Sequence, residues 1–538
     1  MFFLKLFVFS SVLVCVFPLD PSVVSVKTSI GEVLGRRGDH FTTFLGLPYG
    51  DVDDNDPLGP ATPHPDFETP FEAFSDLALC PQFVDGEATG TVHCLQLNVY
   101  TPNHVTAGDK LPVMVYIHGG AFVEGNSRLS TFSPKFLIRH DVIVVAIHYR
   151  LGAFGFICPR RKEYRNQGLK DQFLALKWVK RVIKDFGGDN GNVTLIGHSA
   201  GSISADLLLL NTEGLFNKVI LQSGNAATPT FIEDNSQPTE NIQSNVVNMM
   251  DREFKDLVSN MNISYILEST SNVTFRVCFD ELVKKTPDSD LEGFKIMLGT
   301  TWEEGLFLYP NAVEDRNFTE NFNYSIILKN TFPNIDDRGN EIVKNFYLQN
   351  GVVDFSSDYI FNYPSERSVR YYLRNNAVVY RYIFNYDGGR NYMKVMKNIT
   401  IRGTTHADEL GYLFDMSMFD TNISDADQLM IDRMTSLWTN FAKYGDPTPS
   451  PSPVLPVRWS PTTADQGSYL DLDAALSLRS GGPFERVASF WDLFYHHYAK
   501  FYKGIDLHDL HDFDMENGSV MISISYYCIF LLMFKFFM

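Results

Sequence analysis

The chain has 538 residues and a mass of 61.1 kDa, with hydrophobic residues at 44% and aromatic residues at 14%. This composition supports a sizeable buried core and excludes an intrinsically disordered chain. The chain has 45 lysines and arginines and 64 aspartates and glutamates, which gives a formal charge of −19 and a pI near 5.1. A negative field repels phosphate backbones, so nucleic acid is excluded as a partner. The length is compatible with one large domain.

The first residues have the pattern of a secretory signal. Lys5 precedes the apolar run LFVFSSVLVCVF, which predicts a signal peptide over residues 1–18. A buried core helix is the alternative, but the extreme N-terminal position favours export. Eight N-x-S/T glycosylation sequons agree with a secretory route, although an Asn-rich chain produces several by chance. They lie at Asn192, Asn262, Asn272, Asn317, Asn323, Asn398, Asn422 and Asn517.

The cysteines divide between the ends of the chain and its body. Cys15 lies in the signal and Cys528 in an apolar C-terminal tail. Cys80 and Cys94 close a short loop, and we expect a disulfide between them because an oxidising compartment permits it. We interpret Cys158 and Cys278 as buried free thiols, the commoner state of isolated cysteines.

Six near-continuous apolar runs alternate with helical patterns in the body of the chain. Such runs are typical of strands that are buried on both faces of a mostly parallel sheet, so we predict an α/β fold. The segment 171–188 has apolar residues at helical spacing and ends in two glycines. The Pro-rich segment 447–456 is interpreted as a surface loop within the domain rather than a linker. The six runs lie at 113–118, 142–149, 193–197, 219–223, 295–299 and 378–384.

Two glycine-rich motifs follow predicted strands. The pentapeptide GHSAG at 197–201 fits G-x-S-x-G, with the strand VTLIG running into it and the helical SISADLLLL after it. A tight strand-to-helix elbow needs small residues beside the serine and exposes its Oγ at a helix N-terminus. The sequence HGGAF at 118–122 follows the strand VMVYIH. Its glycines free backbone N–H groups for an oxyanion site, and we assign the donors to Gly120, Ala121 and Ala200.

Ordered blocks along nearly the whole body resemble the carboxylesterase/cholinesterase family. They include FLGLPYG at 44–50, YRLGAFGF at 149–156, LQSGN at 221–225 and FWDLFYHHY at 490–498. The details are most similar to insect antennal or integument carboxylesterases. The resemblance implies an α/β hydrolase fold, a mostly parallel central sheet flanked by helices, and hydrolysis of neutral carboxylic esters through an acyl-enzyme. It implies no cofactor and no metal.

The resemblance also assigns a catalytic triad in the chain order Ser, Glu, His. Ser199 is the nucleophile of the elbow, while GTTWEEGLF at 299–307 resembles the acidic segment and implies Glu304, with Glu303 as the fallback. GTTHADELGYLF at 403–414 resembles the histidine segment and implies His406. A supporting role is implied for Ser223. In this chemistry the histidine takes the proton of the serine, and the carboxylate orients the imidazole.

Several positions depart from the family pattern. Residues 91–93 read TVH where an acidic pair is common, and 54–61 lie where many members carry Arg-Phe, so an ion pair between them is expected to be lost. The loop between Cys80 and Cys94 has no tryptophan, so cation–π recognition of choline is unsupported. His198 replaces the acidic residue that many cholinesterases have before the nucleophile.

Two questions of function stay open at the level of sequence. The alternative to an esterase is a catalytically silent adhesion or receptor ectodomain, since relatives of this family keep the fold without the nucleophile. The retained Ser199, Glu304 and His406 favour the enzyme. The natural ester cannot be read, because the shape of a pocket depends on side chains from distant loops.

The C-terminal segment VMISISYYCIFLLMFKFFM at 520–538 is close to the ~20 apolar residues that span a bilayer. We expect a catalytic domain over 19–505, a polar stalk over 506–519 and a hydrophobic anchor over 520–538. A single span with Lys535 near its cytoplasmic end and a glycolipid anchor both fit this pattern, and a packed or disordered tail is the alternative. Either attachment leaves the catalytic domain outside the cell or in the secretory lumen.

Overall fold

A computed structural model of the chain describes residues 22–498 apart from 160, 211–213, 234–262, 270–274, 285–286, 288–289, 313–315, 333 and 350. The signal at 1–18, the stalk at 506–519 and the anchor at 520–538 lie outside the described residues. So do the sequons at Asn262, Asn272 and Asn517. Within the described ranges, no helix is long and apolar enough to cross a membrane.

A sheet of 13 strands forms the centre of the molecule. Six parallel pairings join seven neighbouring strands, and antiparallel strands lie at both ends of this run. From one edge to the other the strands are Val23–Thr28, Gly31–Arg37, Phe41–Pro48, Gln96–Pro102, Ile143–Ile147, Leu111–Ile117, Gly188–His198, Lys218–Gln222, Lys295–Thr301, Val378–Phe384, Tyr469–Leu472 and Ser477–Arg479, with Phe71–Glu72 beside Gly31–Arg37. Two-stranded sheets pair Gly50–Asp51 with Thr62–Pro63, Gln82–Val84 with Glu87–Thr89, and Ile232–Glu233 with Val277–Cys278.

Helices cover the sheet, which confirms the predicted α/β class. Each of the six apolar runs overlaps one of the parallel strands, because residues buried on both faces gain free energy from packing against helices on either side. The helices are Lys135–Ile138, Gly152–Phe156, Gln167–Val182, Ala200–Leu209, Ile263–Ser269, Arg316–Asn321, Tyr324–Thr331, Asp337–Tyr347, Gly351–Ser357, Tyr363–Arg374, Tyr392–Lys397, Asp425–Tyr444 and Glu485–Tyr498. A π-helix, Asp358–Asn362, joins two of them.

The core lies on both faces of the sheet, and single strands contribute to both halves. In the strand Leu111–Ile117, Val113 and Val115 belong to one buried cluster, whereas Met114 and Tyr116 belong to the other. This follows from the two-residue period of a strand. The Pro-rich segment 447–456 contains neither helix nor strand, and its Leu455 is buried in the second cluster.

Two disulfides are present among the described residues. Cys80 and Cys94 are joined as expected, with their Cα atoms 5.0 Å apart. The interpretation of Cys158 and Cys278 as free thiols is wrong, since these residues are joined across a separation of 120 positions. The folded chain brings their segments together, because the side chain of Asn166 hydrogen-bonds both the N–H and the C=O of Cys278.

An ion pair is buried in the core beside the helix Gln167–Val182. Arg150 donates through Nε and Nη2 to the two carboxylate oxygens of Asp171, at 2.8 and 2.7 Å, and both side chains are fully buried. Nη1 of Arg150 also donates to the backbone carbonyls of Pro57 and Gly59. Near the surface, His93 contacts Asp54 at 2.9 Å, so the two segments with the departures from the family pattern lie side by side. That contact is exposed and contributes little to stability.

Candidate active site

The serine of GHSAG lies in a strained elbow between the strand Gly188–His198 and the helix Ala200–Leu209. Ser199 has φ 55° and ψ −123°, a conformation that side-chain-bearing residues rarely adopt. A Cβ atom at Gly197 would lie 2.1 Å from the carbonyl oxygen of Gly201, so the close approach of the strand and the helix requires glycine at position 197. The N–H of Ser199 donates to the carbonyl of Gln222 in the next strand at 2.8 Å, which fixes the turn. The local sequence therefore presents Ser199, half-buried, at the carboxyl end of the sheet.

The loop 118–122 lies directly against the elbow. A Cβ atom at Gly119 would be 2.9 Å from the Cβ of Ser199. Gly120 has φ 113° and Ala121 has φ 51°. Among the described residues, none accepts a hydrogen bond from the N–H of Gly120, Ala121 or Ala200. These donors are free to bind a negatively charged oxygen beside the serine.

Buried hydrogen bonds hold the backbone of the loop 118–122. Nδ1 of His118 contacts the carbonyl of Gly119 at 2.8 Å, and the hydroxyl of Tyr149 donates to the carbonyl of His118 at 2.8 Å. Burial lowers the pKa of His118 to about 4, so its ring is neutral at physiological pH. The N–H of Gly152 donates to the carbonyl of Phe122 at 2.7 Å. These hydrogen bonds fix the backbone at both ends of the loop.

Glu304 and His406 are in direct contact although they lie far apart in the sequence. Nδ1 of His406 lies 2.7 Å from Oε2 of Glu304, which is fully buried at the start of the turn Glu304–Phe307. The other carboxylate oxygen, Oε1, accepts hydrogen bonds from the hydroxyl of Ser223 at 2.6 Å and from the N–H of Thr301 at 2.7 Å. Every oxygen of this carboxylate therefore has a partner, and the imidazole is held by an oriented acceptor.

Glu303, the fallback acid, contacts a different part of the histidine segment. Its Oε2 accepts a hydrogen bond from the N–H of Thr404 at 2.9 Å. The hydroxyl of Thr405 donates to the carbonyl of Glu304 and accepts from the N–H of Phe307. These bonds tie the acidic and histidine segments together. The geometry places Glu304, not Glu303, at the imidazole.

Three aromatic rings surround His406, which is 5% exposed. The ring centroids of His198 and Phe361 each lie 4.8 Å away, and that of Phe307 lies 5.0 Å away in a stacked arrangement. His198 precedes Ser199, so its contact brings the elbow and the histidine segment together. Phe361 belongs to the π-helix Asp358–Asn362. It was not predicted from the sequence, because an apolar residue in a helical pattern does not show which side chain it packs against.

Glu409 is a second buried carboxyl group that sequence reasoning did not select. Its Oε1 accepts a hydrogen bond from the side-chain amide of Gln222 at 3.1 Å, and its Oε2 has no partner among the described residues. Burial, and then the nearby carboxylate of Glu304, raise the pKa of Glu409 to about 8. Glu409 is therefore mainly protonated at neutral pH.

Comparison with known proteins shows which family the chain matches. Residues 22–491 match the carboxylesterase family. The chain is 30% identical to the juvenile hormone esterase of Tribolium castaneum, over 80% of this chain and 85% of that protein. It is 27% identical to the acylcarnitine hydrolase of Rattus norvegicus, over 81% of this chain and 86% of that protein.

A solved structure shows the same fold. The juvenile hormone esterase from Manduca sexta, crystallised with OTFP covalently attached, has a TM-score of 0.74 to this chain at 24% identity, and the match covers 88% of this chain and 99% of that one. The α/β hydrolase prediction is confirmed, and the insect esterases agree with the insect-like resemblance. The chain therefore belongs to the carboxylesterase family and is a serine carboxylic ester hydrolase.

Proposed function

We propose that Ser199, His406 and Glu304 form the catalytic triad and that Gly120, Ala121 and Ala200 form the oxyanion hole. The observation that carries this proposal is the buried 2.7 Å contact between Nδ1 of His406 and Oε2 of Glu304. It fixes one ring nitrogen as the donor to Glu304, which leaves Nε2 to accept a proton. The strained elbow supplies the nucleophile at the same edge of the sheet.

The reaction proceeds by acyl transfer. His406 removes the proton of Ser199 as Oγ attacks the ester carbonyl carbon, and the N–H groups of the oxyanion hole stabilise the negative oxygen. The carbon–oxygen bond to the alcohol then breaks, and the protonated imidazole gives its proton to the leaving alkoxide. Water, deprotonated by His406, attacks the acyl-enzyme and releases the carboxylic acid with Ser199 restored.

Ser223 and Glu409 support the acid of this triad. The hydroxyl of Ser223 occupies one oxygen of Glu304, so the carboxylate cannot rotate away from the imidazole. Because Glu409 is mainly neutral, a second negative charge does not compete with Glu304 for the histidine. A catalytically silent role would need a broken triad, whereas the described residues keep the carboxylate–imidazole contact.

We propose neutral carboxylic esters as the substrates. The hairpin that follows Cys80, with strands Gln82–Val84 and Glu87–Thr89, contains no tryptophan to recognise a quaternary ammonium group. The names of two relatives, a juvenile hormone esterase and an acylcarnitine hydrolase, show that different esters are hydrolysed within the family. The absence of a tryptophan ring in this hairpin favours neutral esters as the substrates of this chain.

Neighbouring glutamates offer a matched test of the triad. We expect Glu304→Gln to lower kcat for a neutral ester by about 10²- to 10⁴-fold, because the amide no longer stabilises the imidazolium. Glu303→Gln removes the same charge one position away and keeps an oxygen for the N–H of Thr404, so its loss should stay within about tenfold. Steady-state kinetics on the two secreted proteins decides between them. A larger loss in the Glu303 variant would transfer the role of the acid to that residue.

We further propose that the enzyme follows a secretory route and is held at the membrane by residues 520–538. The two disulfides support an oxidising compartment, and the apolar composition of this segment supports attachment. Expressing the full chain and one that ends at Glu516 tests attachment. We expect only the shorter chain in the medium, and equal release of both would refute the anchor. Phospholipase treatment of intact cells then separates a glycolipid from a membrane span, since only the glycolipid-linked enzyme is shed.

A further inference from the structure

His198 lies between His406, the proposed general base, and the loop 118–122, which carries two of the proposed oxyanion donors. It is the last residue of the strand Gly188–His198 and is 4% exposed. Its ring centroid lies 4.8 Å from that of His406, with 43° between the ring planes. On another side, its Nδ1 would lie 3.1 Å from a Cβ atom at Gly119. Any charge on this side chain would therefore act on His406 at close range.

The ring of His198 is neutral in its surroundings. Burial lowers its pKa well below the ordinary value, and the positive charge that His406 takes up in the reaction lowers it further. The Nε2 atom is buried and has no hydrogen-bond partner among the described residues. A protonated ring would carry an unpaired buried charge beside the imidazolium, which is costly.

His406 contacts one carboxyl group and three rings. Its Nδ1 lies beside Glu304, and the ring centroids of Phe307, Phe361 and His198 lie within 5.0 Å of its own. Glu409 is mainly protonated, since its pKa is raised to about 8. Other titratable or charged groups on nearby elements include Glu303, which accepts from the N–H of Thr404, and Asp408, which accepts from the N–H of Thr405. Asp358 accepts from the hydroxyl of Tyr347, Lys397 lies over the ring of Phe307, and Tyr382 lies near Glu304 and Glu409. In the loop 118–122, His118 is neutral because burial lowers its pKa to about 4, and Glu124 follows that loop.

We propose that His198 is a positioning residue that keeps the space it occupies beside His406 free of negative charge, and thereby preserves esterase activity at more acid pH than a carboxyl group at this position would allow. The inference rests on the proposed role of His406 as the general base. A carboxylate about 5 Å away would stabilise the imidazolium and raise the pH below which the base is lost.

The test compares a charged and a neutral replacement of the same size. His198→Glu places a carboxyl group beside His406, and His198→Gln places an uncharged amide there. kcat/KM for a neutral ester is measured from about pH 4.5 to 9, with active-site titration by an organophosphate to count folded sites. In the pH profile of kcat/KM, we expect the midpoint of the fall in activity on the acid side to lie about one pH unit or more higher for His198→Glu than for the wild type. For His198→Gln, this midpoint should stay within about 0.3 pH unit of the wild-type value. A lower kcat of this variant does not affect the comparison.

Each outcome decides the proposal. An unmoved midpoint in His198→Glu, or an equal movement in both variants, would overturn it and leave the ring a purely packing role. If the glutamate variant does not fold, the glutamine variant decides alone, because a shifted midpoint on exchange of one neutral group for another contradicts the claim. A failure of the proposed triad is distinguishable, since His406→Ala would then retain wild-type activity whatever the behaviour of position 198.

Discussion

Ser199→Ala is expected to lower kcat for an activated neutral ester by about 10³-fold or more, while secretion and folding are retained. The physical reason is that the elbow holds the proposed nucleophile, and a triad that lacks one member loses the function of the whole unit. The elbow geometry depends on backbone contacts, since the N–H of Ser199 donates to Gln222, and an alanine keeps this bond. Steady-state kinetics with a nitrophenyl ester gives the loss.

A nearby serine serves as the control for this substitution. Ser202 lies one helical turn further on and donates its hydroxyl to the carbonyl of Gly224 at 2.6 Å. Ser202→Ala removes the same atom from a buried position outside the reaction, so we expect kcat to stay within about tenfold of the wild type. Activity of the Ser199 variant within tenfold of the wild type would remove this residue from the mechanism.

Asp171→Ala is expected to destabilise the fold by about 3–5 kcal/mol, because it leaves the guanidinium of Arg150 buried without its counter-charge. Both side chains are fully buried, and the pair makes two hydrogen bonds at 2.7 and 2.8 Å. Two carbonyl groups that also accept from Arg150 cannot replace a negative charge. Urea unfolding of the purified protein, followed by intrinsic fluorescence, measures the free energy of unfolding.

An exposed ion pair provides the comparison for Asp171. Asp66 accepts from Arg181 at a similar distance, 2.8 Å, but both side chains are about half exposed, at 53% and 52%. Asp66→Ala should cost at most about 1 kcal/mol, since water screens the charge that remains. Equal losses from the two alanine substitutions would contradict the assignment of the effect to burial.

The strands could be predicted because apolar runs buried on both faces have a strong local pattern. Their ends were less readable. The run 193–197 lies in a strand that begins at Gly188, and its first residues, Gly188 to Asn192, are polar and small with no strand signal. Similarly, the helix predicted from residue 171 begins at Gln167, after Asn166 in a left-handed conformation. The ends of these elements depend on contacts with neighbouring elements, which a local sequence pattern does not show.

Part of the site could be located from motifs, whereas its environment could not. The glycine-flanked serine and the HGG turn are local patterns with a physical reason, and the acidic and histidine segments were assigned from their resemblance to the family. Glu409 and Phe361 carry no such pattern, because their roles depend on burial beside Glu304 and His406. The Cys158–Cys278 disulfide was missed for the same reason, since a bond across 120 residues depends on the tertiary fold.

The most direct measurement of the central claim is the site at which an organophosphate becomes covalently attached. After deglycosylation, trypsin releases residues 185–218 as one peptide, which contains Ser199, Ser202 and Ser204. Fragmentation by mass spectrometry should place the phosphoryl group on Ser199 alone, with one adduct for each enzyme molecule inactivated. Attachment to Ser202, Ser204 or another peptide, or full inactivation without an adduct on Ser199, would contradict the account.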